Sequence, residues 1–381
     1  MYPYIIMYKQ KYLKYKSKYL RLKMDQVGGL PLEERKQIYY NLSTKLSYLS
    51  NDEILKKISA GLQTQGWGVN TILDFDGYKI FCKQVRITDL EYQNMFDSSN
   101  LFKLPTYYNY GIKSAGINCF RELLMHIKTT NWLLNDEIEN FPLLYHYRIM
   151  KIPNPESKFT KEQIEEIVNY WNSNNVGKYM EAKNDAHYHI TLFIEYIPKE
   201  AFEWIDDSYE KNILYLDSML KIINFLRKKN IIHFDAHLKN TLVNGRTFYL
   251  SDFGLVYDED FKISFKEKDF YDNNTYYDYG KIIRGLLKGF VDKFYQHIEK
   301  YEKKYNFDGK TERMKTFNVM FSNMDEIADE LNIDRNYVKL LKKYQPIITI
   351  FEKFTDDVIK NKNTIFPNEE IKEELIELGI I

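Results

Sequence analysis

The chain reads as an α+β protein of two lobes, the first rich in strands and the second mostly helical. Three observations carry this expectation. A length of 381 residues exceeds a single typical core, so two lobes are expected. Between Ile54 and Val85, short apolar runs alternate with glycine and turn signals, which is strand patterning. Beyond about residue 198, apolar residues recur mainly at helical spacing. A hydrophobic content of 44% supports a packed globule over a disordered chain.

Taken in order, residues 1–29 form a basic arm and linker. Tyr8, Tyr12, Tyr15, Tyr19 and Leu22 recur at alternating spacings of four and three, which predicts an amphipathic helix over 8–24. Lys9 to Lys23 holds seven Lys/Arg and no acid, and Gly28-Gly29 ends the segment. Such an arm suits a membrane surface, nucleic acid or a partner helix; the simpler reading packs its tyrosine stripe on the protein's own body. Next come a strand over Ile54–Ile58, a glycine loop to Gly68, a strand over Thr71–Leu73, an Asp76-Gly77 hairpin turn and a strand over Tyr78–Val85. A Tyr- and Gly-rich loop follows over 101–117, then a helix over Cys119–Leu134 and a strand over Leu143–Ile149. A further helix, Thr160 to Tyr170, is capped by Thr160 with Gln163 three residues on. His187–Ile197 alternates as a strand does. Ile213, Leu216, Leu220 and Ile223 line one helical face, which Asn230 terminates. Residues 325–344 have helix-turn-helix spacing, with Asn332 at the turn and Arg335, Lys339, Lys342 and Lys343 available to phosphates. A plain pair of packed helices is the simpler account there, and nucleic-acid binding is not expected.

Charge excludes little, because Lys+Arg and Asp+Glu balance at 54 each. Only Cys82 and Cys119 occur, which argues against a disulfide framework or a cysteine-ligated zinc site and suits an intracellular location. No apolar run approaches the roughly 18–20 residues of a membrane span. His187 and His189 could share a strand face, but no third metal ligand lies near them in sequence.

The most informative stretch runs from Ile231 to Gly254. His233, Asp235 and Asn240 stand in the order H-x-D-x-x-x-x-N, and Asp252-Phe253-Gly254 begins twelve residues after the asparagine. These motifs resemble the catalytic loop and D-F-G turn of the protein-kinase superfamily. The resemblance covers roughly 250 residues in outline, and its specific motifs lie within about 235–254. It implies a bilobal protein-kinase-like fold, with an N-lobe over 30–197 carrying insertions at 88–117 and 150–186, and a helical C-lobe over 198–381.

The resemblance also implies site roles, with ATP and Mg2+ as cofactors. Asp235 would receive the proton of the attacking hydroxyl, and Asn240 and Asp252 would ligate Mg2+. Gly66 and Gly68 resemble the glycine-rich loop over the phosphates, although the third glycine is missing and Asn70 stands where a valine is usual. Lys83, in I-F-C-K, matches the lysine that contacts the α/β-phosphates, with Phe81 in place of the usual alanine. Glu122 is the carboxylate expected to aim Lys83, and Glu91 is its rival. Glu195, where the His187–Ile197 strand runs into the hinge, falls in the nucleotide-binding set.

Phe234 replaces the arginine of H-R-D, so dependence on activation-loop phosphorylation is not expected. His237 stands where serine/threonine kinases have lysine and resembles the loop of aminoglycoside- and choline-kinase-like enzymes; a packing role is equally open to it. Either His237 or Lys239 could neutralise the transferring phosphoryl group. His233 reads as structural. Asp278 resembles the buried aspartate that braces the catalytic loop. The expected function is an ATP-dependent kinase, of serine/threonine protein type ahead of tyrosine type, with a small-molecule phosphotransferase or an inactive pseudokinase as alternatives. The partners are then ATP and a protein or small-molecule hydroxyl. The arm also resembles N-termini of proteins from large DNA viruses of amoebae, which would place the protein in host cytoplasm or virion.

Overall fold

The computed structural model describes residues 29–64, 69–111, 114–152 and 157–381. Nearly all of the N-terminal arm, along with Gly66 and Gly68, lies outside the described residues. The fold is α+β, with one small antiparallel sheet and a predominantly helical remainder. The chain forms two compact units. The first comprises the described residues up to 199, with 242–256 and 260–263; the second comprises 200–241, 257–259 and 264–381.

The first unit is built on five antiparallel strands, β1 (Leu62–Thr64), β2 (Val69–Phe75), β3 (Tyr78–Ile87), β4 (Leu144–Lys151) and β5 (Tyr188–Glu195), in the order β1-β2-β3-β5-β4. Asp76 and Gly77 take φ values of 55° and 81°, so the β2–β3 connection needs two residues that tolerate positive φ, and Asp-Gly supplies them. Two helices precede the sheet, α1 (Leu32–Tyr48) and α2 (Asn51–Ser59). Ile38, Leu42, Leu46 and Ile54 from these helices bury against Leu73, Phe75, Ile80 and Cys82 of the sheet.

The strand expected over Ile54–Ile58 is corrected by α2. Ser50 accepts from the Glu53 amide while the Glu53 carboxylate accepts from the Ser50 amide, a capping box that starts a helix. Ile54 and Ile58 are four apart, and that spacing serves one helical face as readily as it fits an apolar strand run. The helices α1, α6 (Asn174–Asn184) and the short Asp89–Gln93 have no counterpart in the sequence reading, and β1 lies where that reading has a loop.

The segment 88–117 contributes α3 (Asp89–Gln93) and a 3-10 turn over Thr106–Tyr110. The helix α4 (Cys119–Leu134) has the bounds the sequence predicts, with the Asn118 side chain capping it at the Phe120 amide. Phe120 and Leu123 of α4 pack on Ile190, Leu192 and Ile194 of the sheet, with Phe81 and Val85 against the same cluster. In the 150–186 segment, α5 (Lys161–Trp171) carries the expected Thr160/Gln163 capping box. Its partner α6 is pinned to β3 reciprocally: Arg86 donates to the Lys183 carbonyl at 3.0 Å and Lys183 donates to the Arg86 carbonyl at 2.7 Å. Cys82 and Cys119 are both buried and free.

The second unit is helical. Helix α7 (Tyr209–Lys228) stops just before Asn230, which adopts φ 57°, the left-handed conformation that ends helices. The two-residue strand β6 (Ile231–Ile232) follows. It pairs with β9 (Tyr257–Asp258), while β7 (Thr241–Asn244) and β8 (Thr247–Leu250), which pair with each other in a sheet that also takes in Lys199–Glu200, lie almost wholly in the segment that returns to the first unit. Two helices carry the centre of the unit, α9 (Tyr277–Arg284) after α8 (Phe265–Asp272), and the long Arg335–Lys360 helix. A Cβ at Gly280 would lie 2.3 Å from the Phe351 ring, so glycine is what permits α9 to approach that helix. The aromatic cluster Tyr277, Phe351, Phe354 and Phe366 fills the rest of this contact.

Residues 325–344 form two helices, Met324–Glu330 and the start of Arg335–Lys360, joined through Asn332 at φ 50°. Arg335 pairs with Asp325 and Asp329, and Lys342 with Asp325 at 2.5 Å. These basic residues face acids of the preceding helix. Among the described residues, no helix is long and apolar enough to cross a membrane.

Candidate functional site

Each unit carries one constellation of the residues singled out above. In the first unit the determinant is the two-residue period of β3. Ile80 and Cys82 bury toward α1 and α2, whereas Phe81 and Val85 face α4. Lys83 shares the parity of Phe81 and so points to the α4 side. There its ammonium lies 2.7 Å from Glu122 Oε1 and 3.0 Å from Asp252 Oδ1. Burial alone would lower the Lys83 pKa, but the two carboxylates outweigh it and raise it. Burial raises that of Glu122, against the pull of Lys83. Glu122 is 6% exposed in its side chain, while that of Asp252 is 45% exposed, so only the latter opens to solvent.

Asp252 is held at φ 64°, a strained conformation for a non-glycine residue. The Gly254 amide donates to Asp252 Oδ1 at 3.4 Å, and Ile117 donates to the Gly254 carbonyl at 3.0 Å. Phe253 is fully buried, edge-on to His126 of α4 at 4.8 Å. The rival carboxylate, Glu91, is committed elsewhere: it caps α3 through Thr88 and accepts from the Cys119 amide at 2.9 Å.

Glu195 closes β5 and is engaged by a residue the sequence reading passed over. Arg35 of α1 donates to both of its carboxylate oxygens, at 2.9 and 2.7 Å. The same guanidinium donates to the carbonyls of Glu139 and Phe141, and the Leu143 amide donates to Glu195. The Glu195 carboxylate therefore anchors α1 and the start of β4. The basic residue in the first turn of α1 was readable in the sequence, but its target 160 residues away was not.

In the second unit, β6 leads into the loop that carries His233, Asp235, His237, Lys239 and Asn240. Asp278, 3% exposed, accepts from the amides of His233 at 2.6 Å and Phe234 at 2.9 Å. Burial pushes its carboxyl up to about 7 despite these two donors. Phe234 sits at φ 62° and stacks on Phe270, so an apolar ring fills the place of the expected-family arginine. Asn240 donates through Nδ2 to the Asp235 carbonyl at 3.0 Å and to Asp235 Oδ2 at 2.9 Å. That contact fixes which end of the amide is nitrogen and leaves its carbonyl oxygen as the ligand-type end.

His237 Nδ1 accepts from the amides of Lys239 and Asn240, both at 3.2 Å, which assigns the ring proton to Nε2. Nε2 lies 3.5 Å from Asp235 Oδ1. Lys239 turns away, its ammonium 5.2 Å from the ring centre of half-exposed Phe202. A residue absent from the sequence reading approaches instead: Lys281 of α9 places Nζ 3.8 Å from Asp235 Oδ1. Its spacing of three from Asp278 puts both on one helical face, and that signal was present in Y-D-Y-G-K.

Asp252 and Asn240 offer oxygen donors, the chemistry that Mg2+ prefers. Among the described residues, no three His, Cys, Asp or Glu side chains converge to hold a metal unaided. A metal at either residue would take further ligands from elsewhere, as Mg2+ commonly does from a nucleotide. His187 and His189 are separately engaged, by Asp89 and Gln84.

Compared with known proteins, the chain matches no protein-family model and no curated protein.

Proposed function

We propose that the protein is a divergent member of the protein-kinase-like superfamily that transfers the γ-phosphoryl group of ATP to a hydroxyl. The observation that carries this reading is Lys83 held between Glu122 and Asp252. A part-buried lysine fixed by one enclosed and one solvent-facing carboxylate suits contact with nucleotide phosphates beside a metal. The strand order β1-β2-β3-β5-β4 with α4 on one face, followed by a helical unit, supports a bilobal kinase-like fold.

In this reading Lys83 clamps the phosphates and Glu122 orients it, while Asp252 and Asn240 would hold Mg2+. The metal supplies charge neutralisation on the phosphates when bound. Asp235 takes the acceptor's proton as the oxygen–phosphorus bond forms and the bond to the β,γ-bridging oxygen breaks, so ADP leaves with that electron pair. Asp278 holds the backbone beneath Asp235, and Asn240 holds its carboxylate. The buried Phe234 supports activity independent of a phosphorylated activation loop.

A serine/threonine protein substrate is the primary assignment. His237, which resembles the loop of small-molecule phosphotransferases, favours a second reading with an amino-sugar or choline-like acceptor. Incubation with Mg-ATP and either casein or a panel of aminoglycosides and choline separates the two. Asp235→Ala should lower turnover by about 10²- to 10⁴-fold. Undiminished turnover in that variant would refute the assignment of the base.

A further inference from the structure

Transfer of a phosphoryl group develops charge on its equatorial oxygens, and a cation fixed beside the base stabilises that charge. The two candidates visible in the motif are both spent otherwise. The His237 ring accepts two amide protons at Nδ1, which ties it to the loop backbone and leaves only Nε2 toward Asp235. Lys239 lies over Phe202.

We propose that Lys281 is the catalytic cation of this reaction, donating to an oxygen of the transferring phosphoryl group beside Asp235. The inference rests on the phosphotransfer reading above. Its geometry is specific. Nζ is 3.8 Å from Asp235 Oδ1, too long for a hydrogen bond and short enough for the ammonium to meet an oxygen of the phosphoryl group arriving at the hydroxyl that Asp235 holds. The ammonium makes no hydrogen bond among the described residues, and its side chain is 18% exposed. A largely enclosed cation with unspent donors costs free energy unless a ligand uses them.

One helix serves both the loop and the cation. Asp278 and Lys281 lie on one face of α9, so the helix that fixes the loop backbone also delivers the ammonium. The neighbouring Arg284 is drawn to Glu352, which also takes Arg313, and so leaves the position beside Asp235 to Lys281. Burial lowers the Lys281 pKa from the ordinary lysine range, against the pull of Asp235 and Asp278.

The test compares wild type, Lys281→Met, Lys281→Arg and Asp235→Ala in two assays. The first is Mg-ATP hydrolysis with water as acceptor. The second is thermal stabilisation by Mg-ADP with and without aluminium fluoride, a mimic of the transferring group. Lys281→Met should lower hydrolysis by about 10²- to 10³-fold. It should keep the Mg-ADP stabilisation and lose the increment from aluminium fluoride, and Lys281→Arg should restore part of both. Loss of Mg-ADP stabilisation in Lys281→Met would assign Lys281 to structure and overturn the proposal. So would wild-type hydrolysis in Lys281→Met with Asp235→Ala inactive; that result would leave the phosphotransfer reading standing. Hydrolysis absent from wild type, or unchanged in Asp235→Ala, would overturn the phosphotransfer reading itself.

Discussion

Lys83 is where one residue determines most. Its ammonium is the counter-charge of Glu122, a carboxylate almost wholly enclosed, and removing it leaves that carboxylate buried without a cation. Lys83→Met should therefore cost about 3 kcal/mol in stability when measured by urea unfolding near pH 8. The pH dependence has a definite sign. Burial raises the Glu122 pKa in the folded protein, so folding favours its protonated form, and that contribution is lost as pH rises through the folded pKa. Without Lys83 the pKa rises further. The deficit of the variant should shrink toward pH 5, and a deficit that grows on acidification would contradict this assignment. Lys83, Asp235, Asn240 and Asp252 were legible in the sequence because local motifs name them. Arg35 was not, because its target, Glu195, lies 160 positions away in a chain whose register no motif reports, and Lys281 was signalled only by its spacing of three from Asp278.

Elements were legible where capping and periodicity agreed. Thr160 with Gln163, and the apolar face within Cys119–Leu134, each gave a helix close to its observed bounds. The Asp76-Gly77 turn did the same for a hairpin. Ile54–Ile58 misled because a short apolar run fits either period, and the deciding signal, Ser50-x-x-Glu53, lies just before it. If that capping box sets α2, Ser50→Ala should cost about 1 kcal/mol, read as a drop in the urea midpoint with unchanged slope. Gly280 makes a sharper prediction for the α9 contact. Gly280→Ala adds a methyl group 2.3 Å from the Phe351 ring and should destabilise by about 1–3 kcal/mol. Pairing it with Phe351→Leu should recover part of that loss, because the double variant removes the ring the methyl group meets.

Over the whole molecule, chain order and structural unit do not coincide. The chain enters the second unit at Glu200, returns to the first at Leu242–Val256 and again at Asp260–Ile263. The returning stretch is integral to the first unit. Arg35 lies over the Tyr249 ring, Asn140 donates to the Phe248 carbonyl, and Phe253 packs on His126 and Phe141. A fragment ending at Lys199 lacks all three contacts and should not unfold cooperatively, a result that circular dichroism during a thermal ramp would show. Cooperative melting of that fragment would mean that the 242–256 segment is dispensable. The same crossing explains why Asp235 and Asp252, seventeen positions apart in the sequence, belong to different units.

The measurement that bears most directly on the phosphotransferase assignment is a thermal-shift titration with ATP, with and without Mg2+, on wild type, Asp252→Asn and Asp235→Ala. A ligand at one hundred times its Kd stabilises the folded state by about 2.7 kcal/mol. The account predicts a magnesium-dependent rise in wild type, its loss in Asp252→Asn and its retention in Asp235→Ala, since the base does not hold the metal. No rise at millimolar Mg-ATP, or an equal rise in Asp252→Asn, would contradict it.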